Sequence, residues 1–110
     1  MSKFTNIELW NKRYGNREEV YDYAGRKMLK SACGNPNSTY QPTIDHIRPL
    51  SKGGQDIVDN IELCNRRTNE EKGDKFPTWK ANGGIFQAHS IPGKPNGYKI
   101  IKIKGGKKDE

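Results

Sequence analysis

Residues 44–74 read IDHIRPLSKGGQDIVDNIELCNRRTNEEKGD, the densest run of chemically able side chains in the molecule. Asp45 and His46 stand side by side, Asn60 follows across a glycine-bearing loop, and Asn69 opens an Asn-Glu-Glu-Lys-Gly run. Residues 43–47 read as a strand, in which alternation sends Ile44 and His46 to one face and Thr43, Asp45 and Ile47 to the other. Asp45 and His46 therefore diverge in a regular strand. If they serve one site, the backbone must distort there or the site must wrap the strand's end. Pro49 and Gly53-Gly54 then break the pattern into a loop of about a dozen residues, long enough to suggest a purpose. Residues 61–64 resume as a short strand. Asn65 is a good N-cap for a helix running through Asn69, and Gly73 can end it. The order is strand, loop, strand, helix.

Those residue types suit one chemistry. Hydrolysis of a phosphodiester needs a base for the attacking water, a cation for the charge that builds on phosphorus, and stabilisation of the leaving oxygen. His46 can be the base, because an unperturbed imidazole titrates near neutral pH. Asp45 and the Asn69 side-chain oxygen are hard donors that suit Mg²⁺ or Mn²⁺, with water and phosphate completing the shell.

The surrounding chain is consistent with a small basic domain. At 110 residues with 31% hydrophobic and 30% charged side chains, it has room for one domain with a modest core. The net charge of +7 points to a polyanionic partner, nucleic acid first. No apolar run reaches the length of a membrane span, and Met1-Ser2-Lys3-Phe4 opens no signal-like stretch, so a soluble, cytoplasmic protein is expected. Cys33 and Cys64 are expected to be reduced thiols.

Working outward, Thr5-Asn6-Ile7-Glu8 forms a capping-box pattern, and Ile7, Trp10 and Tyr14 share a helical face before Gly15. Residues 20–29 carry β-formers on either side of Ala24-Gly25, which predicts a hairpin. Beyond Phe76-Pro77, residues 85–91 and 98–103 are expected to be strands joined by a Pro-Gly-rich turn. Residues 105–110 hold no apolar side chain and read as a disordered tail. His89 has no chemical partner nearby and reads as structural.

The order Asp45-His46-Ile47-Arg48-Pro49, Gly53-Gly54, Asp59-Asn60, Leu63-Cys64 and Asn69-Glu70-Glu71-Lys72-Gly73-Asp74 resembles the motif of the HNH endonucleases. The segment Asp22-Tyr23-Ala24-Gly25-Arg26 with Ser31 is similar to bacterial and phage members. The resemblance implies an α+β domain around a ββα-metal finger at about residues 43–75, with additional β-hairpins and an N-terminal helix. It implies that His46 is the general base, that Asp45 and Asn69 hold the metal at the strand's end, and that Asn60 holds the loop and orients the histidine. Arg48, Lys52, Arg66 and Lys72 are candidate phosphate contacts. The implied activity is divalent-metal-dependent cleavage of DNA, one strand per active site, by a monomer. The alternative is a non-catalytic nucleic-acid-binding module built on the same finger.

Two departures from the family pattern bear on these expectations. Many members carry paired CxxC motifs that bind structural zinc, whereas Pro36 and Arg67 stand at that spacing after Cys33 and Cys64, so no structural zinc is expected. The segment from Leu63 to Asn69 also reads one residue longer than in cysteine-bearing members, which makes Asn65 a competing last ligand.

Overall fold

A computed structural model describes residues 2–105. The first helix, α1 (Asn6–Tyr14), starts where the sequence says it should: Thr5 accepts from the Glu8 amide while the Glu8 carboxylate accepts from the Thr5 amide. Its buried residues are Leu9 and Trp10. They pack with Val20 and Met28 from the antiparallel pair β1 (Glu19–Tyr21) and β2 (Lys27–Leu29), and with Ile61 and Leu63. This is the first of two cores.

Strands β3 (Pro42–His46) and β4 (Ile61–Asn65) form a second antiparallel pair, in register from Pro42 opposite Asn65 to His46 opposite Ile61. Directly opposed residues share a face. Ile44, His46, Ile61 and Leu63 thus lie on the face that meets the first core. Thr43, Asp45, Glu62 and Cys64 lie on the other. Helix α2 (Arg66–Lys72) follows β4 without a linker. Asn65 caps it by accepting from the Arg67 amide, and Gly73 closes it at φ 58°. Its buried side chains are Thr68 and Lys72.

A three-stranded sheet, β5 (Thr78–Ala81), β6 (Gly84–Ser90) and β7 (Tyr98–Gly105), completes the chain. Its inner face supplies Trp79, Ala81 and Phe86 to a second core with Ala24 and Ile47. Strand β5 is absent from the sequence expectation. Gly105 also departs from it: rather than opening a tail, it pairs with Gly84 at the end of β7, and residues 106–110 lie outside the described residues. Cys33 and Cys64 are free thiols, the latter buried. No described helix is long and apolar enough to cross a membrane.

One polar network fastens these pieces. Asp22 accepts from the amides of Ala24 and Arg26 through Oδ1 and from the Asn65 amide through Oδ2. The Arg26 guanidinium, itself buried, donates to Thr68 Oγ1 and to both carboxylate oxygens of Glu71. Glu71 in turn accepts from the Asn82 amide, and Asn82 Nδ2 donates to the Ala24 carbonyl. The β1–β2 turn, α2 and the β5–β6 turn are thereby held as one unit. Glu71, although exposed on α2, is a structural member of it.

Candidate functional site

Asp45 and His46 diverge as a regular strand requires. Asp45 turns toward α2 and is 6% exposed. Its Oδ2 lies 3.3 Å from Lys72 Nζ, yet makes no hydrogen bond. The ammonium balances its charge without filling its lone pairs. Burial pushes the Asp45 carboxyl up to about 6 despite the opposing pull of Lys72 and His46. Glu62, its cross-strand neighbour, is pushed up to about 7, by burial first and then by Asp22 and Asp45, against Arg13.

Asn69 faces the same strand. Its Nδ2 donates to Thr43 Oγ1 at 3.0 Å and to the Ile44 carbonyl at 3.3 Å. With the amide nitrogen committed to β3, the side-chain oxygen is left for another partner. Asn65 is not available as an alternative ligand. Its Oδ1 caps α2 and its Nδ2 donates to the carbonyls of Lys27 and Thr39. Among the described residues no three His, Cys, Asp or Glu side chains gather in a metal-binding group. A cation here would therefore rest on one carboxylate, one amide oxygen and water. The buried Asp45 Oδ2 without a hydrogen bond fits that donor set, and two hard oxygens favour Mg²⁺ or Mn²⁺ over softer ions.

His46, at the end of β3, has a side chain 13% exposed, and its Nε2 lies 2.8 Å from Asp56 Oδ1. Asp56 Oδ2 accepts from the Lys3 amide at 2.7 Å. That amide, then the imidazole, then the Ser2 hydroxyl hold the Asp56 carboxyl down at about 2. The sequence reading missed Asp56. Ten positions separate it from His46, and the only signal was the Gly53-Gly54 pair that turns the chain back. A Cβ on Gly54 would overlap the Arg48 carbonyl, so that turn admits only glycine.

Asn60 is fully buried and ties both ends of this loop. Its Oδ1 accepts from the Arg48 amide, its Nδ2 donates to the carbonyls of Arg48 and Gln55, and its own carbonyl accepts from the Ile47 amide. Arg48 is half-buried, donating to the Lys52 carbonyl and the Tyr98 hydroxyl, with its guanidinium 5.7 Å from the Phe76 ring centre. Lys52 is exposed. Arg66 is tied to the Pro36 carbonyl and lies beside Glu70. Lys72 departs from the expectation of a phosphate contact. It is 0% exposed, donates to the His46 carbonyl, pairs with Asp45 and lies over Trp79. Its ammonium serves the protein interior. His89 is exposed and bonded to Gln87.

Residues 31–75, which contain every candidate site residue named above, match the family model described as HNH endonuclease. That description is of a family of endonucleases. No curated protein and no solved structure matches the chain.

Proposed function

We propose that the protein is a divalent-metal-dependent endonuclease that nicks DNA, with β3, β4 and α2 acting as a ββα-metal finger. The observation that carries this reading is a single hairpin bearing a buried carboxylate, Asp45, turned to the helix of Asn69, with an imidazole, His46, next to it in the chain. Asp45 Oδ2 and the Asn69 side-chain oxygen would hold the metal, whose chemistry when bound is to stabilise charge on the scissile phosphate and on the leaving 3′ oxygen. His46 removes the proton of the attacking water. Asn60 keeps the loop closed around His46, and Lys72 balances Asp45 from behind. Arg48 and Lys52, at the rim of the loop, contact the phosphates on either side of the cut.

Conversion of supercoiled plasmid tests this. With Mg²⁺ or Mn²⁺ the wild type yields nicked circles before linear DNA, EDTA abolishes the product, and His46→Ala binds DNA without cutting it. Equal nicking by His46→Ala would refute the role of His46. Plasmid retarded on a gel but uncut by the wild type with either metal would favour a binding module instead.

A further inference from the structure

An imidazole can act as a base only through a nitrogen that carries no proton, so the neutral ring must be held in one tautomer. In His46 that choice is made by Asp56. A carboxylate offers only acceptors, so the 2.8 Å contact requires Nε2 to carry the proton and donate it to Oδ1. The second carboxylate oxygen is engaged by the Lys3 backbone amide, which can only donate. Asp56 is thus gripped by the imidazole and the Lys3 amide on opposite oxygens, with the Ser2 hydroxyl as a third donor. The other ring nitrogen, Nδ1, makes no hydrogen bond with any described residue.

The geometry points to Asp56 as a positioning residue that locks His46 as the Nε2–H tautomer and leaves the Nδ1 lone pair to face the attacking water. The N-terminal segment takes part, because the Lys3 amide fixes which way the Asp56 carboxylate is turned. This inference rests on the reading of His46 as the base. It adds the residue that selects the ring tautomer.

The Lys3 amide, which can only donate, makes a sharp test possible. In Asp56→Asn, the Lys3 amide still demands an acceptor, so the new amide must turn its oxygen to Lys3 and its NH₂ to His46. Nε2 must then accept, the proton moves to Nδ1, and the base is blocked. A near-isosteric change is therefore expected to do more harm than truncation, by the same wrong-tautomer effect that a carboxylate-to-amide change has beside the histidine of serine proteases. In Asp56→Ala, water replaces the carboxylate and both tautomers are open.

The experiment pairs plasmid nicking with two-bond ¹H–¹⁵N spectra of the imidazole rings. The chain has only two histidines, so His46→Ala assigns the signals. Expected are an Nε2–H ring in the wild type and an Nδ1–H ring in Asp56→Asn, which stays folded. Nicking should fall in the order wild type, Asp56→Ala, Asp56→Asn, the last by about 10²-fold or more. An Nδ1–H wild-type ring, or Asp56→Asn cutting as well as Asp56→Ala with its ring tautomer unchanged, would overturn the inference. If the wild type cuts no DNA, the proposed function falls, and the ring spectra alone decide whether Asp56 sets the tautomer.

Discussion

Replacing Lys72 by methionine keeps most of the packing and removes one charge from the interior. Asp45 then stands buried with neither a counter-charge nor a hydrogen bond at Oδ2. Removing one partner of a buried pair costs about 3–5 kcal/mol, and the lost bond to the His46 carbonyl adds about 1 kcal/mol. The cost depends on pH in a direction the structure fixes. The Asp45 carboxyl sits at about 6, above its ordinary 3.8, so the folded chain holds that proton more tightly than the unfolded one. Its contribution to stability is full below the ordinary value and is lost as pH rises through the folded one, at about 1.4 kcal/mol for each tenfold fall in proton concentration. Glu62 follows the same trend and belongs to both proteins, so the difference between variant and wild type isolates Asp45. Without Lys72 the Asp45 carboxyl moves higher still, and the loss extends to higher pH. Urea unfolding in EDTA should show Lys72→Met destabilised by about 3 kcal/mol or more at pH 8 and by about 1 kcal/mol at pH 5. Adding Asp45→Asn should recover most of the deficit at pH 8. Equal losses at the two pH values, or no recovery in the double variant, would refute the argument.

Asn60→Ala leaves the Arg48 amide and two carbonyls without partners at a fully buried position. It should cost about 2–4 kcal/mol by denaturant titration and should also slow nicking. Asn60→Asp should do no better, since it turns an oxygen toward both carbonyls. Thr5→Ala removes only the cap of α1, so a loss of about 1 kcal/mol in thermal unfolding with unchanged nicking is expected, which controls for simple destabilisation. Asp45→Asn should weaken Mn²⁺ binding in calorimetry by more than about 10-fold, as expected if the proposed site loses its one charged ligand. Unchanged affinity would move the metal elsewhere.

The local parts of this fold were legible because their causes are local. Thr5 with Glu8 and Asn65 start α1 and α2 with side chains that act within one turn, and Gly15 and Gly73 end them through the backbone freedom of glycine. The alternation of residues 43–47 gave the divergence of Asp45 and His46 directly. Strand β5 escaped notice because Thr-Trp-Lys-Ala is short and half polar. Its conformation comes from pairing with β6 and from burying Trp79, both products of tertiary structure. Lys72 was misplaced for a similar reason. A lysine in a polar helix reads as solvated until the helix is docked, and docking α2 on β3 turns that side chain inward. Asp56 needed the full course of the loop.

The fastening of Asp22, Arg26, Asn65, Glu71 and Asn82 is built from hydrogen bonds and the Arg26–Glu71 ion pair. A frame crosslinked this way does not come apart when a chelator or an oxidant is added. A metal held as proposed by Asp45 and Asn69 would then leave and return to a site that keeps its shape. The concentration of free divalent ion alone would gate cutting, on the timescale of ion exchange and with no refolding step.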